Sequence, residues 1–286
     1  MLLPHSASAR IILPLMLALM VATVEAAPPQ PSTPVQPGEA GHSATLTAAI
    51  NNPLRSDAQR ARDLARHPQQ TLEFFGISPQ MTVIEIWPGA GWYTDILAPY
   101  LAGQGQYIAA HFPASSTIDY FARNRAAFDA KLKASDGYAQ VNVVDFAPPQ
   151  STKLAPPASV DAVLTFRNIH NWMKAGSDAE AFAAFYAALK PGGVLGVVEH
   201  RLPPAREQDP KAASGYVHEA VVIAMAEKAG FKLVARSEIN ANPKDNADHP
   251  QGVWTLPPTL ALGDERRDYY LAIGESDRMT LKFIKP

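Results

Sequence analysis

The chain has 286 residues, with 25 lysines and arginines against 27 aspartates and glutamates, so its formal net charge is −2. It has no basic stripe, which argues against a nucleic-acid partner. It contains no cysteine, which excludes disulfides, a catalytic thiol, a thiolate metal site and a lipid anchor on cysteine.

The first 26 residues have the pattern of a secretory signal peptide. Arg10 supplies a positive charge, and residues 11–24 form an apolar stretch that Pro14 interrupts. The stretch is too short to span a membrane comfortably, and small residues surround a cleavage point after Ala26. We expect a cleaved signal and a periplasmic or secreted protein without a stable membrane anchor. A retained tether and a start codon assigned too far upstream are the alternatives.

Residues 27–44 form a proline-rich linker, with prolines at positions 28, 29, 31, 34 and 37. A segment of this composition stays extended and cannot bury a core. The remaining residues, 45–286, are numerous enough to bury a core without disulfides, so we expect one domain there.

Strand and helix patterns alternate after residue 80, which is typical of a parallel sheet with helices on both faces. The predicted strands are Thr82–Trp87, Gln106–Ala110, Ala139–Val144, Val160–Phe166, Gly193–Glu199, Lys232–Glu238 and Met279–Ile284. The predicted helices are Asp57–Arg66, Gln69–Phe75, Trp92–Leu101, Ser116–Ala134, Asp178–Leu189, Ser214–Ala229 and Asp264–Ala272. Lys190-Pro191-Gly192-Gly193 has the composition of a helix end.

The residues from Val83 to Thr94 predict a β-branched strand, a glycine turn and an amphipathic helix. Backbone N–H groups and the helix dipole meet at such a turn and favour a charged or polar ligand. Glu85 lies inside the strand, where a carboxylate is costly unless it is paired or bound. Ligands of open parallel sheets bind at the carboxyl ends of the strands, so we expect the ligand here.

Glu85-x-Trp87-x-Gly89-x-Gly91 resembles the acidic-x-Gly-x-Gly-x-Gly motif of class I S-adenosylmethionine (SAM)-dependent methyltransferases, particularly an exported bacterial group of methyltransferase-like proteins. The resemblance extends over residues 45–286 through further matching segments: Arg62-Asp63, Phe74-Phe75-Gly76, Arg167 to Trp172, Lys190 to Gly193, and Trp254-x-Leu256-Pro257-Pro258. It implies an α/β, Rossmann-like fold with a seven-stranded, mostly parallel sheet, and SAM as the cofactor. Trp87 departs from the motif, because it stands at the position of the first glycine.

The resemblance implies that SAM lies at the ends of the first four strands. Trp87-Pro88-Gly89 would form a floor for its methionine part, or else a structural turn. His111 would contact the ribose, where the family usually has an acidic residue, or would be a solvated loop histidine. Asp145 would accept a hydrogen bond from the adenine amino group, or would form a turn. The predicted cofactor residues are Glu85, Trp87, Pro88, Gly89, Gly91, His111, Asp145, Phe146 (stacked on the purine) and Asn168.

The segment from Arg167 to Trp172 is the densest group of polar and aromatic residues in the chain. His170 is the candidate general base, because imidazole exchanges protons near neutral pH; the alternative is a capped loop. His200 is a second candidate acid–base group, and Arg201 would anchor an anionic substrate or form a surface ion pair. The predicted substrate-binding residues are Tyr93, Arg167, Trp172 and Arg201.

The histidines at the predicted strand ends, His111, His170 and His200, raise the question of a zinc site, since three imidazoles can bind zinc. No pair has the close helical spacing of a recognised site, so we predict no metal centre.

These features favour methyl transfer from SAM to a small-molecule acceptor. SAM is a charged cytoplasmic metabolite, whereas the signal directs the chain across a membrane. Two alternatives therefore stay open: an exported Rossmann-like protein that binds another small ligand or catalyses SAM-independent chemistry, and a non-catalytic envelope binding protein. No insert in the sequence identifies the acceptor or the oligomeric state.

Overall fold

The computed structural model describes residues 46–286, so the predicted signal peptide and linker lie outside the described residues. Within this range, seven strands form one sheet: β1 (Thr82–Ile86), β2 (Gln106–His111), β3 (Asn142–Asp145), β4 (Val160–Phe166), β5 (Leu189–His200), β6 (Lys232–Ser237) and β7 (Arg278–Ile284). Their order is β3-β2-β1-β4-β5-β7-β6. The first five strands are parallel, and β7 runs antiparallel between β5 and β6. The predicted seven-stranded, mostly parallel sheet is confirmed.

The helices of the described residues connect and cover these strands. They are α1 (Asp57–Arg60), α2 (Asp63–Arg66), α3 (Pro68–Phe75), α4 (Thr94–Leu101), α5 (Asp119–Lys133), α6 (Ile169–Ala175), α7 (Asp178–Ala188), α8 (Glu219–Lys228) and α9 (Arg267–Ile273). Residues 46–50 are also helical. None of the helices in 46–286 has the length and apolar character that a membrane crossing requires.

The core has one layer on each face of the sheet, because neighbouring residues of a strand point to opposite sides. Val83 of β1 packs in a cluster with Ile96 and Leu97 of α4, whereas Ile84 belongs to the cluster that contains Phe182 and Phe185 of α7. Both faces of β1 are thus buried, as its continuous apolar sequence predicts.

Three helices differ most from the prediction. The predicted helix Asp57–Arg66 is divided into α1 and α2, and buried Arg55 holds the start of α2 through Asp63 at 2.8 Å. The predicted helix Ser214–Ala229 begins only at Glu219, because Val217 pairs with the backbone at the end of β5. Residues 169–175, for which no helix was predicted, form α6, which ends at Gly176 in the left-handed conformation.

Candidate active site

A cleft of about 1270 Å³ opens along the carboxyl ends of β1 to β5. The strand order reverses between β1 and β4, and ligands of open sheets bind at such a point. The cleft is larger than most small-molecule sites, which measure roughly 300–1,000 Å³. Its walls include Trp87, Pro88, Gly89 and Ala90 after β1, Phe112 and Phe121 after β2, Arg167, Asn168 and His170 after β4, and His200 on β5.

The turn after β1 contains three residues with left-handed backbone: Trp87 (φ 47°), Gly89 (φ 58°) and Gly91 (φ 78°). A side chain on Gly89 would meet nothing within 4 Å, so its backbone is open to a ligand in the cleft. A side chain on Gly91 would lie 3.2 Å from Lys131 and 3.3 Å from Phe128, both on α5. Gly91 therefore permits close packing against α5, and the room for a ligand is at Gly89.

Trp87 forms an aromatic wall of the cleft together with Phe112 and Phe121. Its indole N–H donates to the carbonyl oxygen of Phe146 at 2.9 Å, and its ring centroid lies 4.8 Å from that of Phe112 and 5.3 Å from that of Trp172. Phe121 stacks on Phe112 at 4.0 Å. Phe146 and Trp172 are fully buried core residues that do not line the cleft. Their packing corrects the expectation that they contact the purine and the substrate.

His111 is buried at the end of β2 and has no free ring nitrogen. Its Nδ1 accepts the backbone N–H of Phe112 at 2.8 Å, so Nε2 carries the proton and donates to the carbonyl oxygen of Gly89 at 3.2 Å. Burial lowers the pKa of His111 to about 4, which keeps the ring neutral at pH 7. The ring supports the glycine turn, and this corrects the expectation of a ribose contact.

The ends of β3 and β4 carry two predicted cofactor residues with different surroundings. Asp145 accepts a hydrogen bond from Arg125 at 2.5 Å and lies outside the cleft walls. Asn168 lines the cleft, and its amide donates to the carbonyl oxygen of Ile86 at 2.8 Å. Asn168 thus ties the end of β4 to the end of β1, while Asp145 holds α5 through Arg125.

Two predicted substrate residues have structural partners instead. Tyr93 is buried and stacks on Phe166 with 3.8 Å between the ring centroids, beneath the cleft. Arg201 pairs with Asp277 at 2.8 Å and with Glu238 at 2.7 Å, away from the cleft walls. Arg201 therefore has the surface ion pair that was its alternative interpretation.

The cleft wall at the end of β4 carries a histidine held by a buried carboxylate. Glu199 is fully buried on β5, and its Oε1 accepts a hydrogen bond from Nδ1 of His170 at 3.1 Å. The same carboxylate accepts the backbone N–H groups of Ile169 at 2.6 Å and of His200 at 2.8 Å. Because Nδ1 of neutral His170 carries the proton, Nε2 is the basic nitrogen. Glu199 was expected only as a strand end, yet it orients the candidate base.

His200 lies next to this pair, with 5.5 Å between the two imidazole centroids, and its Nδ1 contacts the hydroxyl of Ser276 at 2.6 Å. Burial, then the charges of His170 and nearby arginines, lowers the pKa of His200 well below its ordinary value. Ligand atoms of His170, Glu199 and His200 lie within 4.8 Å of one another, close enough for a metal ion. However, both Glu199 oxygens already accept hydrogen bonds, and the nearby arginines oppose a cation. In this group Glu199 orients His170, and His200 lies beside them as a neutral imidazole.

One end of the cleft, which we call the arginine end, is formed by Arg62, Arg66 and Arg167. Glu275 pairs with Nε of Arg62 at 2.6 Å and with Nε of Arg66 at 3.4 Å. It also pairs with buried Arg278 at 3.2 Å. Burial alone would raise the pKa of Glu275, but these arginines outweigh it and lower the pKa to about 2. A single carboxylate is thus shared by several guanidinium groups.

Comparison with known proteins identifies the fold. No protein-family model and no curated protein matches the chain. A SAM dependent methyltransferase from Aquifex aeolicus is similar at a TM-score of 0.52 and 15% identity, over 85% of this chain and 98% of that one. The 4+2 cyclase SpnF is similar at a TM-score of 0.55 and 16% identity, over 87% of this chain and 94% of that one. A third similar structure is phosphoethanolamine N-methyltransferase 2 of Haemonchus contortus in complex with S-adenosyl-L-methionine. Its TM-score is 0.52 and its identity 15%, over 77% of this chain and 52% of that one. The chain therefore has the Rossmann-like fold of class I methyltransferases.

Glu85 is buried in β1, outside the cleft walls, and accepts hydrogen bonds from Tyr107 at 2.5 Å and Thr94 at 3.3 Å. Burial raises its pKa from 4.5 to about 7. The folded chain thus keeps a proton that the unfolded chain releases between these pH values. The stability contributed by Glu85 is fully present below pH 4.5 and is lost as the pH rises through 7.

We expect Glu85→Gln to remove this pH dependence while keeping an acceptor for Tyr107. Relative to the parent, the free energy of unfolding of the variant should rise by about 3 kcal/mol between roughly pH 4.5 and 8, measured by urea unfolding and circular dichroism. His111 titrates with the opposite sign but is present in both proteins, so the difference isolates Glu85. Glu227→Gln, at an exposed position, is the control; equal slopes in all three proteins would contradict the interpretation.

Proposed function

We propose that the protein catalyses methyl transfer from SAM to a small-molecule acceptor in the cleft. One juxtaposition carries the proposal: the open backbone of Gly89 after β1 and the His170–Glu199 pair after β4 share the same cleft. The fold shared with methyltransferases supports the same assignment.

The cleft has room for SAM, with apolar rings for the purine and positive charge for the methionine carboxylate. The space beside Gly89 allows close approach to the backbone, the Trp87 and Phe112 rings offer apolar surface to a purine, and the arginine end suits a carboxylate. SAM supplies a methyl group activated on a sulfonium, so its transfer is an in-line displacement that depends mainly on alignment.

His170 would remove the proton from the acceptor's nucleophile. Glu199 accepts Nδ1–H of His170, which leaves Nε2 unprotonated and stabilises the imidazolium formed after proton uptake. Asn168 contributes positioning, because its hydrogen bond to the Ile86 carbonyl keeps the start of α6 beside the glycine turn.

A second candidate function is binding of another small ligand, or SAM-independent chemistry. His111 favours this candidate, because the end of β2 presents an engaged imidazole where a free carboxylate would hold a ribose. The 4+2 cyclase SpnF shares the fold at a TM-score of 0.55. A non-catalytic envelope binding protein is the corresponding non-enzyme proposal.

We also propose that the protein is exported and begins at Ala27 after cleavage. Mass spectrometry of the protein from the native envelope should then show a chain without residues 1–26. An intact chain starting at Met1 in the cytoplasm would contradict export and would place the protein in the compartment where SAM is made.

Calorimetric titration with SAM tests the proposed function. The purified protein should bind SAM with a Kd that is roughly micromolar, and Gly89→Val should weaken binding by about a hundredfold or more, because its side chain fills the open space beside the turn. Gly103→Val is the matched control, since Gly103 also has a positive φ of 82°, a side chain added there would meet nothing within 4 Å, and it lies outside the cleft walls. Absence of SAM binding by the folded parent would favour the second candidate.

A His170→Ala variant tests the general base. Release of S-adenosylhomocysteine, measured with a panel of small hydroxyl and amine acceptors, should fall by about 10²- to 10⁴-fold. SAM affinity should barely change, because other cleft walls would hold the cofactor. Equal losses of SAM binding and turnover would instead indicate that His170 contacts the cofactor. Unchanged turnover would indicate that His170 has only a structural role.

A further inference from the structure

We propose that the arginine end of the cleft binds an oxyanion, a carboxylate or phosphate group carried by a ligand of the cleft, through Arg62, Arg66 and Arg167. The inference rests on the proposed function for the identity of the ligand, whereas the anion site itself follows from the charges of the described residues.

The first observation is an excess of buried positive charge. Glu275 is the shared partner of three arginines, at 2.6 Å from Arg62, 3.4 Å from Arg66 and 3.2 Å from Arg278. Burial and then the charge of Arg167 lower the pKa of Arg66, and burial lowers that of Arg278 to about 10. Burial and mutual repulsion therefore destabilise the charged forms of Arg66 and Arg278, and a bound anion would stabilise them.

The second observation is that the Arg167 guanidinium has no partner of its own among the described residues. Within residues 46–286 its guanidinium makes no hydrogen bond or ion pair, although it lines the cleft and is largely buried. Its backbone has a φ of 63° and its N–H donates to the carbonyl oxygen of Val198 at 2.7 Å. Residues other than glycine are uncommon in this left-handed conformation. The backbone at the end of β4 therefore holds Arg167 in place at some conformational cost.

The third observation concerns the shape of the site. The guanidinium of Arg66 is held over the Trp92 ring at 4.7 Å from its centroid, and Arg62 reaches the same end from the turn before α2. A guanidinium presents its N–H donors as a planar fork that matches two oxygens of a carboxylate or phosphate. Burial keeps neighbouring His200 neutral by lowering its pKa, so the positive charge is concentrated on the arginines.

Two sources could supply such a group: the methionine carboxylate of SAM and an acidic group on the acceptor. They share the same oxyanion chemistry but differ in how a free anion affects SAM binding. An anion in the arginine end would compete with SAM in the first case and would leave SAM affinity unchanged in the second.

Calorimetric titration with inorganic sulfate, at matched ionic strength in chloride, tests the site without requiring SAM. The parent should bind sulfate, and Arg167→Gln should weaken that binding by about tenfold or more, as loss of a charged hydrogen bond implies. Arg236→Gln is the control, because Arg236 pairs with Glu219 at 3.0 Å on the outer strand β6. Arg62→Gln, closer to the rim, is the second variant if Arg167→Gln does not fold.

Sulfate binding that is absent from the parent, or equal in the parent and both arginine-end variants, overturns the proposal. When sulfate does bind, SAM and 5′-methylthioadenosine, which lacks the carboxylate, are titrated in its presence. Competition with SAM but not with methylthioadenosine supports the site with the cofactor as its source. Unchanged SAM affinity in the presence of sulfate supports an anion site whose natural ligand is an acidic group on the acceptor. Failure to bind SAM counts against the proposed function, and the sulfate titration still decides the anion site.

Discussion

The buried carboxylate of Glu199 organises the part of the cleft that carries His170 and His200. It accepts the first backbone N–H of α6, the Nδ1–H of His170 and the backbone N–H of His200. A buried carboxylate is stable only when its oxygens are satisfied in this way. The start of α6, the tautomer of His170 and the position of His200 therefore depend on one another. Removing the carboxylate would disturb the local fold and the proton acceptor together.

The glycine turn is built around an aromatic residue and a histidine in place of the ordinary motif. Trp87 adopts the left-handed conformation that a glycine would adopt freely, and its indole hydrogen bond to the Phe146 carbonyl holds it there. His111 binds the Gly89 carbonyl from the adjacent strand. These contacts stiffen the turn and line it with rings. The turn thus keeps an open backbone at Gly89 and presents the Trp87 and Phe112 rings beside it.

The sequence predicts the parts of the structure that depend on neighbouring residues. The apolar run at Val83 and the glycines after it are local signals, and β1 and its turn follow them. Helix α6 has only seven residues and is too short to show clear periodicity. The Glu199–His170 contact joins residues 29 positions apart, and the Arg66–Glu275 pair joins residues 209 apart.

The burial of a side chain by a distant element also cannot be predicted from the local sequence pattern. His111 was expected to face the ribose or solvent at a strand end, but the Phe128 ring of α5 packs at 4.8 Å between centroids and covers it. The arginine end is likewise assembled by tertiary contacts: Arg62 and Arg66 come from the start and the end of α2, Arg167 follows β4, and Glu275, which Arg62 and Arg66 share, precedes β7. The resulting cleft has aromatic rings near β1 and β2 and guanidinium groups near β4. An elongated ligand with one flat apolar end and one acidic end matches that polarity. Because the two ends of the cleft differ in chemistry, such a ligand is expected to bind in one orientation, with its apolar end near β1 and β2 and its acidic end near β4.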